Sequence, residues 1–239
     1  MSYSFGSRVR YSEVGADGYL TLHGVVNYFQ DCCIFHSESV GRGVKACDEA
    51  KKGWVLSSWQ IVIDRLPKLG EEIVARTWPY EFRGFLGYRN FTLDTVEGQR
   101  LAYANSLWSF LDAGTGMPIK VTDQDITGYE LEEKLDMAYA PRKIKLPQKM
   151  EDREEILVRR HHVDTNQHVN NGQYIVMAQE FLPEDFVIGQ LRAEYKKSAH
   201  LEDTIYPKVS TDLESCVVSL EDEGGSSYCV VQFISKKSR

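Results

Sequence analysis

No window of this 239-residue chain approaches the ~18 consecutive apolar residues of a membrane-spanning helix. The stretch Met1–Arg10 lacks the apolar core of an export signal. These absences predict a soluble, cytoplasmic protein with no membrane insertion. An excess of basic charge is missing as well: 28 Lys and Arg stand against 35 Asp and Glu, a net charge of −7. That balance argues against general nucleic-acid affinity, which needs a basic surface. Cysteine is scarce and unpatterned. Cys32, Cys33, Cys47, Cys216 and Cys229 lack metal-ligand spacing, and an odd count argues against a disulfide scaffold. Buried reduced thiols are expected, with no metal and no cofactor. His161 and His162, beside Arg159 and Arg160, have no thiol or carboxylate at ligand spacing and read as part of a solvated basic strand.

What is present repeats. Asp17–His23 leads into a run where Leu22, Val25, Val26, Phe29, Cys33 and His36 recur at helical spacing, one face of an amphipathic helix. Thr21 is placed to cap it, and Gly41 and Gly43 to stop it. Segments of strand character follow at Trp54–Asp64, Glu72–Tyr80, Leu86–Thr95 and Arg100–Leu111, with Glu97-Gly98 as a hairpin turn. The second half keeps this order. A helix with the face Tyr174, Met177, Ala178 and Phe181 stops at Pro183, and strands follow at Gly189–Lys197, Thr204–Leu213, Cys216–Leu220 and Tyr228–Ser235. Leu69-Gly-Glu-Glu-Ile73 echoes His200-Leu-Glu-Asp-Thr204 between the first two strands of each half. In the connector, Tyr129–Met137 predicts a short acidic helix, and Ala140–Pro147 an extended basic stretch interrupted by proline. The expected fold class is α+β. It comprises two tandem hot-dog domains, each a long helix packed on a curved antiparallel sheet, over 1–127 and 151–239 with a linker at 128–150.

The chemistry concentrates at Val163-Asp-Thr-Asn-Gln-His-Val-Asn-Asn-Gly-Gln-Tyr174. Asp164, Asn166 and His168 alternate, so an extended backbone would aim all three at one point just before a helix. Helix starts present unpaired N–H groups suited to a developing oxyanion. An acid, a neutral donor and a base beside such donors suit acyl transfer better than metal binding. The bland alternative is a capping loop, with Asn170-Asn171 as an ordinary cap. In the first half, Asp17 and His23 are the counterpart, with Tyr19 in the place of Asn166.

These residues resemble the acyl-acyl carrier protein thioesterases, tandem hot-dog enzymes of plastids and bacteria. The similarity runs from Tyr11-Ser-Glu13 to the last strand and is most specific at Asp164-x-Asn166-x-His168-Val-Asn-Asn171. Glu194-Tyr-Lys-Lys197 looks like the Glu-Tyr-Arg-Arg segment of plant members, which continues with Glu-Cys. Here Ser198 and Ala199 stand instead, so a cysteine nucleophile at that place is ruled out, and Ser198 needs a base of its own. Glu194, Glu202 and Glu180 are the substitutes considered. The length suggests a bacterial type.

The resemblance implies that Asp164, Asn166 and His168 are catalytic, with Ser198 as a further candidate. It implies hydrolysis of fatty acyl-acyl carrier protein, releasing a free fatty acid and ending chain elongation. Asn166 and a backbone N–H within Asn170, Asn171 and Gly172 would hold the oxyanion, and His168 would activate water. The first half would line an acyl tunnel. Arg159, Arg160, Arg192, Lys196 and Lys197 would steer an acidic acyl carrier protein with its phosphopantetheine arm, as would Arg142, Lys143 and Lys145. Unpaired outer strands leave room for a homodimer. The rival readings are an acyl-CoA thioesterase and a non-catalytic acyl-binding hot-dog module.

Overall fold

The helical spacing of the first half becomes α1 (Leu22–Ser39), with Leu22, Val25, Val26, Phe29, Cys33 and His36 all buried. Its cap is Thr21, whose Oγ1 accepts the Gly24 N–H at 3.0 Å. The chain leaves the helix through Gly41, at φ 70°. A short helix, α2 (Val44–Ala50), follows and ends at Lys51, in the left-handed region. The structure, a computed structural model, describes residues 2–236. It divides into two compact units, Met1–Ser57 with Ile61–Tyr139, and Ser58–Gln60 with Ala140–Arg239.

In the first unit the strands are β1 (Tyr3–Arg8), β2 (Lys52–Ile63), β3 (Glu72–Arg83), β4 (Leu86–Thr95) and β5 (Arg100–Asp112), in the spatial order β1-β3-β4-β5-β2. The pairs β1–β3, β3–β4 and β4–β5 are antiparallel. α1 lies on β1, β3 and β4. On β3 the buried residues Ile73, Ala75 and Thr77 alternate, as a strand with one face on a helix requires. Phe29 meets Phe91 of β4 at 5.3 Å between ring centroids.

The second unit holds β6 (Glu151–Asp152), β7 (Ile156–Leu157), α3 (Asn171–Gln179), β8 (Ile188–Tyr195), β9 (Thr204–Thr211), β10 (Ser215–Glu221) and β11 (Ser227–Ser235). Their order is β8-β11-β10-β9-β6, with β7 also on β9. α3 packs on β10 and β11. On those strands Val217 and Val230 alternate with the other buried residues and cluster with Ile144 and Met150. Covering from a second side explains why β10 is buried along nearly its whole length instead of every other residue.

The expected acidic helix at Tyr129–Met137 does not form. The segment runs as an irregular strap along the first unit, because its backbone finds partners there in place of its own i−4 carbonyls. The Glu132 N–H donates to the Pro79 carbonyl at 3.1 Å and the Leu135 N–H to Asn90 Oδ1 at 3.1 Å. The Trp78 indole N–H donates to the Glu133 carbonyl at 2.8 Å. The stretch 140–150 forms neither helix nor strand. It follows the second unit, where the Ile144 N–H donates to Glu194 Oε2 at 3.0 Å.

Under α1 the first unit buries Arg89. Its Nη1 donates to His36 Nδ1 at 2.8 Å and to Thr77 Oγ1 at 3.2 Å, and its guanidinium lies 5.4 Å from the Tyr129 ring centroid. Accepting that bond requires a neutral imidazole. Burial first, and the Arg89 charge second, lower the His36 pKa to about 4. The unfolded chain therefore takes up a proton at His36 between an ordinary histidine value and about 4. Stability from this group is complete above about pH 6.5 and is lost as the pH falls toward 4, by an amount on the order of 3 kcal/mol. Urea unfolding at about pH 7 and about pH 4.5 should show a larger acid loss in the wild type than in His36→Gln. Equal losses would sink this account.

Candidate active site

Asp164, Asn166 and His168 do not lie on an extended strand. Val163 and Val169 form an isolated antiparallel bridge, and the five residues between them make a tight hairpin. The Asp164 N–H donates to the His168 carbonyl at 2.8 Å, and the Gln167 N–H to the Asp164 carbonyl at 3.0 Å. Gln167 closes the turn at φ 62°. Asp164 Oδ1 accepts the Asn166 N–H at 2.8 Å, an Asx turn that competes with strand geometry. A turn, not strand alternation, collects the three residues. Asp164 and His168 are half-buried and Asn166 is exposed. The hydrogen bond that the Asp164 carboxylate accepts is this one within the turn, from the Asn166 N–H and not from the His168 ring. Instead that ring meets His200 edge-on, at 4.8 Å between centroids, and His168 and His200 also form a backbone bridge.

The first unit contains the same hairpin, and hydrogen bonds set the register. The Gly15 N–H donates to the Tyr19 carbonyl as Asp164 does to His168, and Gly18 to Gly15 as Gln167 does to Asp164. Leu20 donates to Pro67 at 2.8 Å, and Val169 to Ala199 at 2.9 Å. Gly15, Asp17 and Tyr19 are thus the equivalents of Asp164, Asn166 and His168, which corrects the expected pairing through Asp17 and His23. The echo between the two crossovers also moves by one residue. Tyr19 bridges Lys68 where His168 bridges His200. The Lys68 N–H is held by Glu71 Oε2 at 2.9 Å, and the His200 N–H by Asp203 Oδ2 at 2.8 Å. Gly18 and Gly70 are left-handed in the first unit, and their equivalents Gln167 and Glu202 are left-handed without being glycine.

α3 begins at this hairpin. Asn170 is its cap, as a capping loop predicts, and its Oδ1 accepts the Gly172 N–H at 2.8 Å. The Asn170 N–H donates to the His162 carbonyl. Of the three expected oxyanion donors, two are therefore engaged, and the Asn171 N–H alone has no acceptor among the described residues. Buried tyrosines fix this frame. Tyr174 Oη accepts the Ala199 N–H at 2.8 Å, and the Tyr195 hydroxyl donates to the Asn171 carbonyl at 3.0 Å. Burial pushes the pKa of both hydroxyls up. Ser198 is exposed.

The residues missed by sequence reasoning are His200 and Asp203. His200 Nδ1 lies 3.7 Å from Asp203 Oδ2, which the Tyr228 hydroxyl also approaches at 3.4 Å. Aligning the two crossovers one residue earlier would have exposed them. The considered bases sit elsewhere: Glu194 is buried and accepts from Ile144, while Glu180 and Glu202 are exposed, at the end of α3 and at a turn. His161 and His162 form a short 3-10 turn with Arg160, not a strand. His162 Nδ1 accepts the Arg159 N–H at 3.0 Å, and burial, then His161, lowers its pKa. Among the described residues no group of three or more His, Cys, Asp or Glu side chains could hold a metal. Four of the five free thiols are buried, and burial raises the pKa of all five.

The basic residues divide. Arg159, Arg160 and Lys196 are exposed. Arg192 is half-buried, and its guanidinium donates to Gln232 Oε1 at 2.8 Å and to the carbonyls of Pro141 and Lys143, holding the connector. Lys197 pairs with Asp222 and lies 4.4 Å from the Tyr228 ring centroid.

In class, this is a tandem hot-dog protein whose second unit pairs the rings of His168 and His200 at the hairpin leading into α3. Residues 2–129 match the acyl-ACP thioesterase N-terminal domain and residues 145–233 the acyl-ACP thioesterase C-terminal domain. The chain belongs to the acyl-ACP thioesterase family. A chloroplastic palmitoyl-acyl carrier protein thioesterase of Arabidopsis thaliana is 29% identical over 208 residues, 81% of this chain and 49% of its own length. One from Cuphea hookeriana is 27% identical over 222 residues, 85% of this chain and 53% of its own. This chain spans about half the length of the curated relatives it matches. Two solved structures share the fold. An acyl-ACP thioesterase from Bacteroides thetaiotaomicron has a TM-score of 0.89 at 21% identity over 98% of each chain. The 12:0-ACP thioesterase from Umbellularia californica has 0.84 at 21%, over 98% of this chain and 97% of its own. Among the described residues no helix is long and apolar enough to cross a membrane.

A left-handed conformation costs a non-glycine residue about 1 kcal/mol. Gln167→Gly should therefore raise the melting temperature by roughly 2–4 °C. An unchanged or lower value in a thermal scan would show that the hairpin carries no such strain.

Proposed function

We propose that this protein hydrolyses the thioester of a fatty acyl group carried on the phosphopantetheine arm of an acyl carrier protein, releasing the free fatty acid. The observation that carries this reading is the hairpin of the second unit. It sets a half-buried carboxylate and imidazole next to a helix-start N–H without an acceptor, within a chain of this family. In the first unit the same positions hold Gly15 and Tyr19, which cannot do this chemistry.

The reaction runs as follows. His168 takes a proton from water as the oxygen attacks the thioester carbon. The carbonyl oxygen, becoming negative, is held by the Asn171 N–H and the Asn166 side-chain amide. The C–S bond then breaks, and the thiolate leaves with the proton from His168. Asp164 ties the hairpin through the Asn166 N–H and supplies negative charge beside the developing imidazolium. Ser198 stays outside this scheme, since no base is near its hydroxyl in any contact described. The first unit would accommodate the acyl chain. An acidic carrier would approach over Arg159, Arg160 and Lys196. Mostly buried free thiols suit a reducing cytoplasm.

Thiol release from a panel of acyl-carrier and acyl-CoA thioesters, with wild type and His168→Ala in parallel, tests the reading. Fast release from the carrier, reduced at least ~100-fold in the variant, is expected. Preference for the CoA esters would change the partner and keep the chemistry. Saturable acyl binding without release from either would replace the enzyme by a binding module.

Lys196→Glu, alone or with Arg159→Glu, should raise KM for the acyl-carrier substrate several-fold, more so at low salt, and leave small thioesters unaffected. Equal losses on both substrates would remove the docking role.

A further inference from the structure

The thioesterase reading leaves one question: what supports the imidazole that activates water, now that the hairpin carboxylate is engaged with the Asn166 N–H and a serine stands at position 198. We propose that His200, anchored by Asp203, is a positioning residue of the hydrolytic site that acts through the His168 ring. The proposal rests on the reading above.

Three observations carry it. First, contact is direct: the two rings meet edge to face at 4.8 Å, and the bridged backbones of His168 and His200 start both side chains from neighbouring points. Second, a carboxylate flanks His200. Asp203 Oδ2 lies 3.7 Å from its Nδ1 and accepts its backbone N–H at 2.8 Å, which turns Nδ1 toward the carboxylate and leaves Nε2 as the other polar edge. The Tyr228 hydroxyl, 3.4 Å from the same oxygen, and Lys197 over the Tyr228 ring complete that side. Third, the fold does not require a histidine there. The first unit makes the same bridge, the same turn and the same carboxylate contact with Tyr19, Lys68 and Glu71. A His–His–Asp chain occurs only in the unit that also carries Asp164 and Asn166.

The role follows from charge. When His168 takes the proton of the attacking water it becomes an imidazolium, and the His200–Asp203 pair beside it supplies a polarisable ring and a carboxylate to stabilise that charge. His200 touches no substrate in this scheme. It orients His168 and lowers the cost of its protonated form, and the proton still leaves with the thiolate.

The test measures kcat and KM for acyl-carrier hydrolysis in wild type, His168→Ala, His200→Ala, His200→Lys and Asp203→Asn, with melting temperatures for each. Loss of the His200 ring should lower kcat by roughly 10- to 100-fold with KM unchanged. Because the His200 side chain is 59% exposed, added imidazole should restore part of the His200→Ala rate, which a merely structural role would not allow. His200→Lys carries the residue type that the first unit uses at this place. It is expected to melt like the wild type yet stay slow, and it serves as the folded comparison if His200→Ala melts early. Wild-type hydrolysis that His168→Ala abolishes but both His200 variants retain would overturn the proposal and leave the thioesterase reading standing. Slow variants that imidazole does not restore, with KM raised in step, would overturn it also. No hydrolysis by the wild type would overturn the reading and the proposal together.

Discussion

Two backbone hydrogen bonds govern where everything else in each unit can sit. Leu20 donates to the Pro67 carbonyl and Val169 to the Ala199 carbonyl, each tying the residue just before a helix to the crossover between two strands. A helix that buries one face on a sheet must begin at a defined height and angle. These ties set both before any side chain packs. A second pair, from Gly70 to Val9 and Glu202 to Val158, locks the crossover to the chain that leads into the hairpin. Because the restraints are made by main chain, side chains at the same places are free to differ. Tyr19, Lys68 and Glu71 occupy in one unit the framework that His168, His200 and Asp203 occupy in the other.

Around that frame, buried polar groups are satisfied in ways that raise rigidity near the hairpin. The Tyr174 hydroxyl takes the Ala199 N–H, and Tyr195 reaches the Asn171 carbonyl, so the start of α3 and the end of β8 are held from within. Removing either phenol would strand a buried polar group, at a cost of about 1–3 kcal/mol. The hairpin itself stays half-exposed, as loops that carry function commonly do. Left-handed Gln167 and Glu202 store strain on both sides of the imidazole pair, the kind of local cost that persists where the surroundings over-determine the backbone.

Much of this was legible in the residues. Period-two alternation located β4 to the residue and the other long strands to within a few, and the spacing from Leu22 to His36 located the first helix and its Thr21 cap. Those patterns are local consequences of burying one face. The Asp164, Asn166 and His168 cluster was legible as a set of types. Its geometry was not, because an Asx turn and a sheet ladder compete for the same alternating sequence. The strap at 129–139 shows the same limit: an acidic, helix-compatible segment becomes irregular once Asn90, Pro79 and Trp78 offer partners to its backbone and carbonyls. Arg192 looked like a free cation until its neighbours in space, Gln232 and the connector carbonyls, were known.

By itself, then, and apart from β1, α2 and the strap, the sequence determined the order of the long strands and of the helices that cover them, their faces, the duplication and the family. Each of these is written in near-neighbour spacing and in the motif around His168. Tertiary structure alone decided the register between the two halves, which helix-start N–H remains open, and which side chain backs His168. Those depend on contacts between residues more than twenty positions apart, such as the bridge of His168 with His200 and the hydrogen bond of Tyr195 to Asn171, and local periodicity carries no information about partners that only folding brings together.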